Sequence, residues 1–381
     1  MPVIVTDPNP KLKPFRYNTR RRFQRFGTQT FAGADTFLGQ QQSYQIPQVG
    51  FLAAIICQVD GTVTRAGGDT GTFGGRLFNC VKRLRVSLNL GSASLVDASG
   101  YGIYQLNQTL KYNYGPDLGG DGSGPAYPPN GYLTMDPDVY SGKDAVPETA
   151  VPFLFTYFVP ISINLGRNFN LGLVNLQAPE IRANVEVTMT NTLAELFETP
   201  IGNPPPVLTG THFNDVRMRL SYLFFEVPNP DEVNYPPYVV HRLIEDRTPF
   251  ANTGDVTYQI PRQGTLLRLL QNVICNNRNN AYDWRALTLR VNKTDDIERQ
   301  SSLDNRFFSR FNYGHSMPAG MIVWEFYNAE EVPCSGDFRD AIDTESVSTI
   351  EFITSIDGGA TLGNGNNYID SLRQIVQVLQ T

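Results

Sequence analysis

The chain has 381 residues, of which 41% are apolar and 18% charged, and a formal net charge of −6. That length exceeds one ordinary hydrophobic core and predicts two domains. The opening MPVIVTDPNP lacks a basic segment followed by an apolar one, and the longest clean apolar run, Phe51–Cys57, is too short to cross a bilayer, so neither a signal peptide nor a membrane span is expected.

Charge is unevenly placed. Residues 1–30 carry Lys11, Lys13, Arg16, Arg20, Arg21, Arg22 and Arg25 against Asp7 alone, a net +6 that leaves −12 for the remainder. Such asymmetry predicts a basic tail that touches something anionic. Within 11–26 these cations are interleaved with Phe15, Tyr17, Phe23 and Phe26. Nucleic acid would use such charges for phosphates and the rings for stacking. An anionic membrane would use them for headgroups and interfacial anchoring. A neighbouring acidic subunit would also pair with them. The rest of the chain is acidic and carries no nucleic-acid-binding module, so a membrane or neighbouring-subunit contact is expected in preference to sequence-specific nucleic acid.

Strand patterns dominate the remainder of the chain. FLAAIICQV (51–59) is an apolar run broken only by Gln58, as in a strand covered on both faces. KRLRVSLNL (82–90) alternates, with Leu84, Val86, Leu88 and Leu90 on one face and Arg83, Arg85, Ser87 and Asn89 on the other. FLFTYFVPI (153–161) is aromatic and β-branched, and Pro160 ends it. IRANVEVTM (181–189) and VRMRLSYLFFEV (216–227) alternate again, with one short helix expected in TLAELFE (192–198).

The second half repeats this order. SYQIPQVGFL (43–52) returns as TYQIPRQGTL (257–266), so that Tyr44, Gln45, Ile46, Pro47, Gly50 and Leu52 recur as Tyr258, Gln259, Ile260, Pro261, Gly264 and Leu266. Pro ends the pairing of one strand and Gly supplies the turn into the next. TLLRLLQNVI (265–274) then answers FLAAIICQV, WRALTLRVN (284–292) answers VKRLRVSLN, AGMIVWEFYN (319–328) answers VPFLFTYFVP, and STIEFITSI (348–356) answers IRANVEVTM. SLRQIVQVLQ (371–380) answers VRMRLSYLFF as a strand, although Ile369, Leu372, Val376 and Leu379 also fit a helical period. The first copy has the longer loops, at 66–75, 115–150 and 199–210, and long loops commonly serve binding or contact. Two successive units of eight strands with long crossing loops predict an all-β chain of two tandem jelly-roll barrels. The divisions expected are an extended N-terminal arm at 1–26, a first barrel at 27–228 and a second at 229–381, parted near PNPDEVNYPP (228–237).

Catalytic patterns are weak. His212, His241 and His315 have no second ligand at metal spacing. GHSMP (314–318) approaches the esterase nucleophile elbow, but Pro318 replaces its final Gly and no His follows. The Gly-rich stretches at 67–75, 119–124 and 358–365 lack the phosphate-cradle pattern, and DGGATLGNGNN (357–367) reads as a turn and not a calcium loop. The carboxylates of TDDIER (294–299) and NAEEVP (328–333) read as solvated loop ends. Cys57, Cys80, Cys275 and Cys334 show no pairing spacing, which predicts reduced thiols and an intracellular folding compartment. No catalytic residue, cofactor or metal is expected.

The order of YFVPIS (157–162), an alternating strand at 181–189, LSYLFFEVPNPDEVNYP (220–236) and, earlier, LFNCVKRLRV (77–86) resembles the double jelly-roll major capsid proteins of tectivirus-like tailless icosahedral viruses, the adenovirus-hexon lineage. The resemblance is one of order and spacing over roughly 27–380. It implies a virion capsid protein folded in the host cytoplasm, of a bacteriophage, forming homotrimers of pseudo-hexagonal outline. It also implies that the trimers tile an icosahedral shell beside penton and minor capsid proteins, with an internal membrane beneath. The arm would then lie at the trimer base, its seven cations facing that membrane or neighbouring trimers. The alternatives from other classes are a secreted tandem jelly-roll enzyme or lectin acting on glycans, and a minor capsid or spike protein. A glycan enzyme would show a cleft of acids and tryptophans, whereas Trp284 and Trp324 each fall inside an expected strand.

Overall fold

The computed structural model describes residues 13–14, 19–64, 78–89, 93–109, 151–164, 170–196, 212–227, 233–234, 239–276, 278–279, 283–313, 317, 320–326, 341–362 and 367–378. The first unit comprises β1 (Arg20–Phe31), β2 (Gln41–Gln45), β3 (Phe51–Val63), β4 (Val81–Leu88), β5 (Ala93–Ala98), α1 (Gly100–Gln108), β6 (Val151–Pro160), β7 (Ala183–Met189) and β8 (Phe213–Glu226). The second comprises β9 (Val239–Pro249), β10 (Gly254–Gln259), β11 (Thr265–Cys275), β12 (Trp284–Val291), β13 (Asp295–Ser301), α2 (Ser302–Tyr313), β14 (Met321–Glu325), β15 (Ile350–Ile356) and β16 (Tyr368–Val378).

Pairing follows one rule in both units. β1, β8, β3 and β6 are neighbours in that order, as are β9, β16, β11 and β14. The facing sheets run β2, β7, β4, β5 and β10, β15, β12, β13. Each pair of four-stranded layers is an eight-stranded jelly roll. The two rolls share a sheet: β5 pairs in parallel with β9, Val96 with Leu243 and Asp97 with Ile244, joining their layers into one ten-stranded sheet.

The strands form where the period predicts. β4 buries Val81, Leu84 and Val86 and exposes Lys82 and Arg83, and β7 alternates without a break. One core gathers Ile55, Tyr157, Val185 and Tyr222 between the first two layers, and a second gathers Trp284, Trp324 and Phe352. Both tryptophans are packed core residues.

The repeated phrase has one role in both units. Ile46 and Ile260 are buried, and their amides donate to Ala183 and Ile350 at 2.9 and 3.0 Å. Gly50 and Gly264 adopt φ of 68° and 67° at the turn into β3 and β11. A Cβ there would stand 2.6 Å from the Phe225 carbonyl oxygen and 2.5 Å from that of Val376, so only glycine fits. Asn89 and Asn292 end β4 and β12 with positive φ, and their side chains accept from the amides of Arg182 and Ser348.

Four expectations change. The first barrel starts at Arg20 and not at 27: β1 pairs with β8 from Arg20 opposite Glu226 to Phe31 opposite Val216, because the long β8 needs a partner for its main-chain groups along that edge. Two helices, α1 and α2, occupy equivalent crossings where no helix had been expected. TDDIER forms β13 and not a loop end. TLAELFE supplies only one 3₁₀ turn, Leu193–Leu196. β16 is a strand, settling its ambiguous period. The three long first-copy loops lie outside the described residues, as do His315, Ser316, Cys334 and NAEEVP; the linker is described only at Val233–Asn234, which pair in parallel with Lys13–Pro14.

Candidate assembly surfaces

The buried reactive groups are held in unreactive states. Cys57, Cys80 and Cys275 are free and buried. Burial pushes the Cys80 and Cys275 thiols up to about 12 and the Cys57 thiol further, so the nucleophilic thiolate is suppressed. The Cys80 sulfur lies 3.1 Å from the Tyr157 hydroxyl, which donates to the Phe78 carbonyl at 2.9 Å. Asp296 on β13 holds Arg290 at 2.7 Å and also Arg299, which keeps its carboxyl down at about 2. Asp357 accepts from the Gly359 amide and pairs with Arg285 at 2.7 Å, a turn closed on itself. Among the described residues no cluster of three His, Cys, Asp or Glu groups could hold a metal ion. No described helix is long and apolar enough to cross a membrane.

A connected group of buried polar side chains lies between the barrels. β9 turns His241, Leu243 and Glu245 toward the first barrel, two residues apart on one face. Leu243 is fully buried and belongs to the first barrel's core, together with Leu270, Met321, Val323 and Leu372 from the outer face of the second. Glu245 accepts from the Ser99 amide and, at 3.0 Å, from the Ser99 hydroxyl, while Ser99 caps α1 by accepting from the Gly102 amide at 2.9 Å. A carboxylate at a helix N-terminus is stabilised by the converging amide dipoles. Burial nevertheless pushes Glu245 up to about 7, with Asp370 adding to the rise. His241 lies with Nδ1 3.2 Å from the Ile161 carbonyl oxygen, and burial, aided by Arg268, pulls it down to about 4. Arg268 donates to Thr109 at the C-terminal end of α1 at 2.7 Å and to Glu325 at 2.5 Å, where the Tyr313 hydroxyl also binds. All nine residues of α1 are buried in this junction.

Five of the seven predicted basic residues fall among the described residues. Lys11 and Arg16 lie outside the described residues, and Lys13 is placed only by its pairing with Val233. Arg20, Arg21, Arg22 and Arg25 are exposed along β1, an edge strand, where Arg22 pairs with Glu226 at 2.9 Å. Charge on an edge strand blocks indiscriminate strand addition. Sequence reasoning missed a second exposed surface, Ile297 on β13 with Leu303, Phe307 and Phe308 on α2. Its signal was present in S-S-L-D (301–304), a helix-capping pattern followed by aromatic residues.

No family model and no curated protein matches the chain. Solved structures match it over nearly its whole length. The major capsid protein of Sulfolobus turreted icosahedral virus is 14% identical, with a TM-score of 0.62 over 94% of this chain and 97% of that one. The capsid of PBCV-1 virus matches at 12% identity and a TM-score of 0.57 over 94% of each chain. The Faustovirus major capsid protein matches at 9% and 0.51, over 100% and 93%. At these identities the likeness is one of fold, and the fold of this chain is the double jelly roll of these capsid proteins.

Proposed function

We propose that this chain is the major capsid protein of a tailless icosahedral virus and acts by assembly. The observation that carries this reading is the likeness of fold to capsid proteins, over 94% of the chain and so across both barrels. In this reading three chains, each with two equivalent barrels, present six similar units to their neighbours, and the resulting pseudo-hexagonal trimers tile a shell. The cations of the N-terminal segment, Lys11, Lys13 and Arg16, face an anionic inner membrane or adjacent trimers. Catalysis has no part in the proposal. Native mass spectrometry with negative-stain imaging tests it: a stable trimer of roughly hexagonal outline is expected, and a chain that stays monomeric at every concentration overturns it. Vesicle binding by the full chain, against Lys/Arg-to-Gln replacements at 11, 13 and 16, tests the membrane contact; binding indifferent to the change counts against it.

A further inference from the structure

The contact between the barrels has two sides, and the chain carries a second copy of each. One side is the corner of β5 and α1; its equivalent is the corner of β13 and α2. The other side is the β9 edge; its equivalent is β1.

The equivalence holds residue by residue. The carbonyls of Phe225 and Val376 stand in the same place against Gly50 and Gly264. Their partners across the sheet are Arg21 and His241. Two and four residues on, Phe23 occupies the position of Leu243 and Arg25 that of Glu245. On the other side, Asn89 and Asn292 fix β4 against β12, which aligns Val96 with Glu298, Asp97 with Arg299, and the cap Ser99 with Ser301.

The equivalents of buried residues are exposed. Leu243 is 0% exposed and Phe23 58%. Every residue of α1 is buried, whereas α2 leaves Leu303 72% and Phe307 65% exposed. Contiguous exposed apolar side chains of this size mark an interaction surface.

The polar groups have exchanged sides. At the third position of α1 stands Gly102, whose Cβ, if present, would lie 2.8 Å from the Glu245 carboxylate that β9 delivers to Ser99. At the third position of α2 stands Asp304, which caps Ser301 itself, accepting from its amide at 3.0 Å and its hydroxyl at 2.7 Å. With the carboxylate already on the helix, the facing edge carries Arg25 where the other carries Glu245.

We propose that the α2–β13 corner of one chain docks onto the β1 edge of a second copy, repeating between chains the contact that the α1–β5 corner makes with β9 inside one. Phe23 then lies beside Glu298 and Gln24 beside Arg299 in a parallel pair, Arg25 meets Asp304, and the apolar face of α2 covers Phe23. The two faces differ, so the contact is head to tail, and in the trimer of the capsid reading it closes into a ring. The proposal rests on the capsid reading for the existence of such a ring and adds the surface that makes it.

The test is charge exchange in the full chain, read by sedimentation and native mass. Arg25→Glu and Asp304→Arg each weaken association at least tenfold while the circular dichroism of the monomer is kept, and the double variant recovers most of the loss. A second reading needs no charge reversal: Phe23→Cys with Glu298→Cys forms a disulfide between chains on mild oxidation, absent from either single variant. Assembly unaffected by the single variants, or a double variant no better than they are, or no cross-link in the assembled chain, overturns the surface and leaves the capsid reading standing. A wild-type chain that never associates overturns the capsid reading itself.

Discussion

Replacing Glu245 with Gln separates two opposed titrations at the barrel junction. Glu245 is raised from 4.5 to about 7 by burial and by Asp370. The folded chain therefore holds a proton that the unfolded chain releases, and the stability this contributes is full below 4.5 and lost as pH rises through about 7. His241 is lowered from 6.5 to about 4 by burial and by Arg268. Its contribution is full above 6.5 and lost as pH falls through about 4. Each shift corresponds to about 3 kcal/mol at about 1.4 kcal/mol per unit. Over their shared window the slopes cancel, so the junction of the natural chain is nearly indifferent to pH. Glu245→Gln keeps an oxygen for Ser99 but cannot ionise, and the His241 slope stands alone. Urea-unfolding curves at about pH 4, 5.5 and 7.5 measure this: the variant's own curve carries the His241 slope, and its difference from wild type isolates Glu245 together with the Asp370 it is coupled to. The variant is expected to gain on wild type as pH rises, by up to about 3 kcal/mol between the extremes. A difference independent of pH would show that Glu245 ionises as a solvated carboxylate does, and would refute the reasoning.

The equivalent edge positions differ in what they contribute within one chain. Leu243→Ala should lose about 2–5 kcal/mol in denaturant unfolding, as buried leucines do, whereas Phe23→Ala should change the monomer by no more than about 0.5 kcal/mol and act on association. Gly50→Ala and Gly264→Ala should each lower stability by at least about 1–3 kcal/mol, seen as a lower thermal midpoint, because both strain the backbone and meet a carbonyl. Asn305→Ala removes the amide that bonds the Val323 main chain on both sides, donating to its carbonyl at 2.9 Å and accepting from its amide at 3.3 Å. It should cost about 1–3 kcal/mol, with hydrogen exchange at Val323 faster than in wild type.

The barrel strands were readable because their chemistry is local. β3 opens on an unbroken apolar run at 51–57 and β11 is mostly apolar and buried, β4 and β12 alternate and close on an αL asparagine, and the turn between second and third strands kept its glycine in both copies. The helices were not. α1 contains Gly100 and Gly102, poor helix formers that are there for space: a Cβ on Gly100 would lie 2.5 Å from the Val81 carbonyl. α2 turns aromatic residues outward, so its pattern marks a contact and not a core. The pairing of β5 with β9 was invisible because it joins two residue pairs about 150 positions apart. The likeness of β1 to β9 was invisible because RRRFQRF (20–26) and the VHRLIED (240–246) that answers it have only Arg22 and Arg242 in common. The arm ended too late for the same reason: a run of arginines reads as a tail, and only the demands of β8 make it a strand.

The ten-stranded sheet has a mechanical consequence. Two domains joined by a peptide ordinarily swivel about it, and the peptide sets their freedom. Here the load path runs through hydrogen-bonded backbone, with α1 wedged beneath it and Leu243 seated in the neighbouring core. To flex, the pair would have to unzip strands and pull that leucine into water. Each chain therefore behaves as one stiff body, and in the assembly proposed above any curvature is taken up at the seams between chains.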